Sequence, residues 1–121
     1  MYRISRKFRF AAAHKIDGLP DGHKAGRMHA HHYTVELVLK ASALSLPGFI
    51  VDYESLDAFK KYLEQNLEHQ VLNDVLGYTL GASTTAECLA RHLFKIASGW
   101  WPELAAVRVA ETEDTWAEYS E

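Results

Sequence analysis

The chain opens on an alternation. Tyr2, Ile4, Phe8, Phe10, Ala12 and His14 keep one parity, while Arg3, Lys7 and Arg9 keep the other. A period of two is that of an extended chain with one face in the core, so a strand is predicted. The run "DGLPDG" then marks a loop, because Gly, Pro and Asp favour turn geometries. A second alternation follows: His29, His31, Tyr33, Val35, Leu37 and Leu39 oppose Ala30, His32, Thr34, Glu36 and Lys40. After the turn "LPGF" the period changes. Leu56, Phe59, Leu63 and Leu67 recur at helical spacing with Tyr62 beside them, which predicts a helix from near Asp52 to near Leu72. A second helix is predicted to open at Thr84, where Glu87 three residues on completes a capping box. Its apolar face is Leu89, Leu93 and Ile96, and Gly99 can end it. Beyond Pro102, Val107, Val109 and Glu111 share the parity of a third strand, and "WAEYS" can form a fourth. The order ββααββ is an α+β layout with mostly antiparallel pairing.

Length sharpens this picture. At 121 residues the chain is expected to form a single domain over 1–121, and 48% apolar residues are enough for a core. No apolar run approaches the roughly 20 residues of a membrane helix, and the alternating N-terminus lacks the apolar segment of a signal peptide. A lone cysteine, Cys88, excludes an intrachain disulfide and fits a reducing compartment, so a cytoplasmic protein is expected. A net charge of −3 gives no general attraction to nucleic acid or to an anionic membrane; an anionic ligand would need a local basic patch. There are no repeats and no low-complexity segments.

The histidines carry the candidate chemistry. "GHKAGRMHAHHY" holds four of the seven in the chain. Residues i and i+2 of a strand project from one face, so His29 and His31 can converge on one ion. Both lie on the face of Val35 and Leu37. His14 ends the first strand on its own apolar parity, and it joins them if the two strands are neighbours. Three neutral imidazoles with an open fourth position describe a catalytic zinc site rather than a structural one, where the metal polarises a substrate oxygen or activates water. His32 faces the other side, and solvent or a subunit contact is expected for it. His23 lies in the loop, as a supporting group or with no role. His92 is off its helix's apolar stripe and is expected to be solvated. "HAHHYTVE" also has the His-x-His-x4-Glu spacing of the cupins, with Glu36 as carboxylate. A cupin requires many strands and almost no helix, and Glu36 has the wrong parity, so that reading is weak.

Two carboxylates are candidates as well. Glu68 and His69 close the first predicted helix, where adjacent side chains point about 100° apart. A carboxylate at a fraying end can still orient the histidine; equally, both can be solvated, with the histidine favoured by the helix dipole. Glu111 continues the parity of Val107 and Val109 and should point inward. A buried carboxylate needs a partner, either a structural Arg or Lys or a ligand bearing N–H donors.

Taken together, "FRFAAAH", "GHKAGRMHAHHY", "FIVDY", "LEHQVLND", "STTAE" and "VAET" resemble, in that order and over about the whole chain, the 6-pyruvoyl-tetrahydropterin synthase and 6-carboxy-tetrahydropterin synthase family. The resemblance implies the tunnelling fold: an antiparallel four-stranded sheet with two helices on one face, whose sheets join into an oligomeric barrel, usually a homohexamer of two stacked trimers. It implies zinc held by His14, His29 and His31. It implies that Glu111 grips the pterin ring and that His69 serves a proton relay. Glu68 stands where an aspartate is usual, one methylene longer. Asp52 matches a recurrent aspartate whose task is read as structural. One departure stands out. Relatives usually read "HKCGRLHGH" where this chain reads "HKAGRMHAH", so Ala25 replaces the cysteine that acts as base and Ala30 the glycine between zinc ligands. Cys88, at the start of the second predicted helix, is no substitute.

The function expected is that of a zinc-dependent lyase acting on a dihydropterin such as 7,8-dihydroneopterin triphosphate. Carbon–oxygen elimination or retro-aldol cleavage would proceed with altered or weak chemistry. His69 aided by Glu68, or water activated at the zinc, would be the base. The alternative is a zinc-containing pterin- or purine-binding protein without turnover.

Overall fold

A computed structural model describes residues 1–77 and 83–121. Four strands form one antiparallel sheet in the order of the chain. Strand β1 (Tyr2–His14) pairs with β2 (His29–Ala41) along its whole length, from Tyr2 opposite Ala41 to His14 opposite His29. Strand β3 (Leu104–Ala110) pairs with β2, with a register shift at Val38/Leu39, and β4 (Ala117–Ser120) covers β3. The alternation read in the sequence is the alternation of burial. Phe8, Phe10, Ala12, Tyr33, Val35, Leu37, Val107 and Val109 are buried on one sheet face. The other face carries Arg9, Glu36 and Arg108, and Arg108 lies 3.6 Å from Glu36 and 2.7 Å from Glu118.

The helices lie on the apolar face between β2 and β3 in sequence. Leu56, Phe59, Leu63 and Leu67 are all buried, as their spacing requires, and Leu89, Leu93 and Ala97 meet them in the same core. The single helix predicted from near Asp52 to near Leu72 is instead three pieces: a 3-10 turn at Tyr53–Leu56, α1 (Asp57–Asn66) and the short α2 (Leu72–Leu76). The physical reason lies in the backbone between α1 and α2. There His69 adopts φ 60°, its N–H donates to the Ala11 carbonyl at 2.7 Å, and the Gln70 carbonyl accepts from the Ala13 N–H at 3.0 Å. The chain leaves the helix to pair with the edge of β1, and period alone cannot register that exchange. Asp52 is structural, as read: its Oδ1 accepts from the Glu54 N–H at 2.9 Å and caps the 3-10 turn.

Helix α3 (Ala86–Ser98) is capped one residue later than predicted. Thr85 is the cap and accepts from the Cys88 N–H, which frees the buried Thr84 for a different task. His92 is not solvated: it is half-buried, with Nε2 3.3 Å from the Tyr62 hydroxyl. Burial lowers its pKa. No helix among the described residues is long and apolar enough to cross a membrane.

Candidate metal centre

The centre is built at one end of the β1–β2 pair. His29 faces His14 across the ladder, and Ala12 faces His31. A methyl group opposite His31 leaves room for the neighbouring imidazoles. The three rings stand edge to face, with centroids 4.6 Å (His14–His29), 5.2 Å (His14–His31) and 4.8 Å (His29–His31) apart. Beneath them Tyr33 stacks on Phe10 at 4.9 Å and meets His31 edge-on at 5.5 Å, so the floor of the site is the top of the core.

Two of the rings are oriented by backbone carbonyls. His14 Nδ1 lies 2.9 Å from the Thr84 carbonyl, and His29 Nδ1 lies 2.6 Å from the Arg27 carbonyl. A carbonyl only accepts, so each Nδ1 carries the hydrogen and each Nε2 keeps a lone pair for a ligand. This is how metal-ligating histidines are usually held. The Thr84 hydroxyl adds a contact to His14 Nδ1 at 3.3 Å and one to the Lys15 carbonyl at 3.4 Å. Burial lowers the pKa of His31, against the pull of the Glu111 charge; the neutral ring is the form that ligates metal.

Glu111, immediately after β3, arrives where its parity aims it. The partner is neither an Arg nor a Lys. Its Oε2 is 2.8 Å from His31 Nε2 and 3.4 Å from His14 Nε2. A proton shared with His14, opposed by burial and assisted by the charge of His31, would hold the Glu111 carboxyl below the usual carboxylate range. By distance these are contacts, yet in direction they are poorly aligned, and among the described residues neither buried Nε2 atom has a well-formed hydrogen-bond partner. Buried polar atoms are rarely left so. Together His14, His29, His31 and Glu111 offer one donor atom each, all within 4.8 Å of one another. Nitrogen and carboxylate donors in that number suit zinc, so the residues fit the metal that the resemblance implies.

The remaining candidates sit nearby in the chain's path. Glu68 and His69 do touch, because they lie on the turn after α1 and not on a helix. Glu68 Oε1 is 3.0 Å from His69 Nε2, and Glu68 Oε2 accepts from the Ala11 N–H at 3.3 Å. The His69 side chain is 80% exposed. Ala25 is half-buried in a 3-10 turn, Lys24–Gly26, and its carbonyl accepts from the Ile16 N–H at 2.9 Å, two residues past His14. His23 caps that turn through Nδ1, at 3.1 Å from the Ala25 N–H. Glu36 is on the opposite sheet face, which removes the cupin reading. A cleft of about 390 Å³ adjoins Glu111, bounded by Val109, Thr115 and Trp116. A larger one, of about 500 Å³, lies on the charged sheet face among Arg3, Glu36, Lys40 and Arg108 and holds none of these histidines. Two residues of the centre escaped sequence reasoning. Thr84 looked like a helix cap. Tyr33 looked like core, and its buried hydroxyl has no partner among the described residues.

Comparison with known proteins agrees with this fold. The family model for 6-pyruvoyl tetrahydropterin synthase matches residues 3–121. A protein of Archaeoglobus fulgidus assigned as a 6-carboxy-5,6,7,8-tetrahydropterin synthase is 28% identical over 109 residues, covering 90% of this chain and 87% of that one. The 6-carboxy-5,6,7,8-tetrahydropterin synthase of Haemophilus influenzae is 25% identical over the full length of both. In fold, the 6-pyruvoyl tetrahydropterin synthase of Caenorhabditis elegans superposes with a TM-score of 0.85 at 20% identity, covering 99% of this chain and 95% of that one. With the match running from Arg3 to the last residue, the chain belongs to the 6-pyruvoyl tetrahydropterin synthase family.

Proposed function

We propose that this protein is a zinc-dependent pterin lyase acting on the side chain of a dihydropterin such as 7,8-dihydroneopterin triphosphate. The observation that carries the proposal is the convergence of His14, His29 and His31, with two buried Nε2 atoms that lack a well-formed hydrogen-bond partner among the described residues. Those three residues would hold the zinc, which would supply polarisation of a side-chain oxygen. Glu111 would accept two N–H bonds from the amino-pyrimidine edge, since one carboxylate has two oxygens in the required fork. The adjoining cleft gives the ring a place to lie.

His69 is the proposed base. Glu68 holds its Nε2 at 3.0 Å and is itself fixed by the Ala11 N–H, so His69 Nδ1 is left to take a proton from a side-chain carbon or hydroxyl. The carbon–hydrogen or oxygen–hydrogen electron pair then expels the leaving group, as carbon–oxygen elimination or retro-aldol cleavage. Ala25 has no proton to exchange, so the thiol chemistry usual in relatives is absent here. We place the protein in the cytoplasm as a homohexamer, a dimer of trimers, in which the exposed His69 would meet a neighbouring subunit. The stretch of the β1 edge before Ala11, which residues 69–71 leave open, and the uncovered sheet face support assembly, because open edges invite pairing.

The same Ala25 favours a second reading: a zinc-containing pterin- or purine-binding protein without turnover. Incubating the zinc-loaded protein with a small panel of dihydropterins, with products read by chromatography, separates the two. Consumption of one substrate supports the lyase. Tight binding of a pterin with none consumed supports the binding protein.

A further inference from the structure

Glu111 stands between two partners. On one side its Oε2 approaches His31 Nε2 and His14 Nε2 at 2.8 and 3.4 Å. On the other it lines the cleft with Val109, Thr115 and Trp116. The first contact needs explaining. His14 Nδ1 donates to the Thr84 carbonyl, so its Nε2 presents a lone pair, and a carboxylate oxygen facing a lone pair is repelled unless a cation lies between them. Neither Nε2 is aligned for a well-formed hydrogen bond to that oxygen, so a shared proton relieves the contact poorly. A metal ion among the four donors relieves it.

We infer that Glu111 is a fourth ligand of the zinc, closing the site in the free protein, and that an amino-pyrimidine ligand must draw it away to open the metal. This rests on the proposed pterin site. The two tasks compete for the same atoms. A bidentate grip on an amino-pyrimidine edge uses both carboxylate oxygens, so Oε2 cannot serve the metal at full strength at the same time. The side chain has only to turn from the histidines to the cleft it already lines. Ring binding and access to the metal are thereby coupled through one residue. By linkage the coupling is reciprocal: a ring that takes Glu111 weakens metal retention by the factor by which the metal weakens the ring. A fourth protein donor in the resting state would also keep solvent and adventitious anions off the zinc until the ring is in place.

The test loads the full-length protein and the Glu111→Gln and Glu111→Ala variants with cobalt(II), whose visible bands report coordination number. Thiocyanate probes the open position, and 2-amino-4-oxopteridine, which has no side chain to reach the metal, probes the ring site. The unsubstituted protein is expected to bind thiocyanate about tenfold or more weakly than either variant, and to lose metal to a chelator about tenfold or more slowly. Adding the pteridine should raise its thiocyanate affinity toward that of the variants and leave theirs unchanged. Equal thiocyanate affinity in all three proteins overturns the inference, as does a cobalt spectrum unaltered by both substitutions. If the variants differ as expected but the pteridine binds none of the proteins, Glu111 is confirmed as a ligand, while the exchange and the pterin reading fail together. If the pteridine binds and leaves thiocyanate affinity in the unsubstituted protein unchanged, the pterin reading stands and the exchange is overturned.

Discussion

The two candidate catalytic regions are both histidine-bearing and both lean on β1, yet they are built in opposite ways. At the His14–His29–His31 centre, each ring rises from a paired strand. Two are pinned through Nδ1 by carbonyls at 2.9 and 2.6 Å, and His14 is 1% exposed. At the Glu68–His69 turn the ring is 80% exposed and its backbone is left-handed. Among the described residues its one side-chain partner is its sequence neighbour, Glu68. A metal needs several donors fixed together before it arrives, because each donor ordered on binding subtracts from affinity. A proton carrier needs a tuned ring that can reach a substrate and release it. The sheet is suited to the first need and the turn to the second.

The comparison breaks most decisively at the metal. Changing His29 and His31 together to alanine removes two of three nitrogen donors from alternate positions on one strand. Well-folded protein is expected to carry about one zinc per chain before substitution and essentially none after, read by metal analysis of chelator-free preparations. Unsubstituted protein without zinc would overturn the assignment of the centre.

Next comes Ala25, the position at which the family resemblance implies a cysteine. Ala25 is tied to Ile16, just beyond His14. A thiol there, near a metal and an imidazole, would have a lowered pKa and could serve as base. Ala25→Cys is expected to raise elimination on dihydroneopterin triphosphate by about 10²–10⁴-fold, the usual contribution of a general base. Product chromatography of both proteins reads the result. A native rate that the variant does not exceed would mean that His69 already suffices.

These two regions also differ in how far the sequence disclosed them. The strands were legible because burial on one face imposes a period of two, and that period carried His14, His29, His31 and Glu111 onto the core side without further information. The α+β layout followed from the same patterns. The turn was not legible. Leu56 to Leu67 keep helical spacing through a 3-10 turn, a helix and its exit, since all three bury the same face. What ends the helix is a pair of long-range backbone bonds to Ala11 and Ala13, which leave no mark on side-chain pattern. Thr84 was hidden for a related reason. Two adjacent threonines can each cap a helix, and only packing decides that Thr85 does so while Thr84 turns to His14. His92 was misread because its partner, Tyr62, lies on the other helix.

A smaller effect tests how much the support of the centre matters. Thr84→Val keeps the shape and the backbone carbonyl but removes the hydroxyl at 3.3 Å from His14 Nδ1. Groups that orient a ligand typically contribute about 10–100-fold in metal affinity. With the carbonyl still in place, the lower end, about tenfold, is expected in a chelator competition. No change would assign the orientation of His14 to the carbonyl alone.

The smallest effect expected is on stability, at the turn, and it sharpens the contrast between a held ring and a free one. His69 adopts φ 60°, a conformation that costs a residue with a Cβ about 1–2 kcal/mol. His69→Gly removes that cost, and the greater freedom of glycine in the unfolded chain returns about 0.5–1 kcal/mol of it. The backbone bond to Ala11 needs no side chain and survives. The variant should therefore unfold at the same denaturant midpoint or slightly higher, by no more than about 1 kcal/mol. Its zinc content should be unchanged and its turnover lost. A histidine kept for structure would give the reverse, a lower midpoint with activity retained in the folded fraction. His69→Asn tolerates the same backbone and cannot carry the proton at neutral pH, so it should match the glycine variant in turnover while leaving the midpoint close to that of the unsubstituted protein. If asparagine instead retained the rate, the proton would have to pass through another group, and the exposed ring beside Glu68 would have no part in the chemistry.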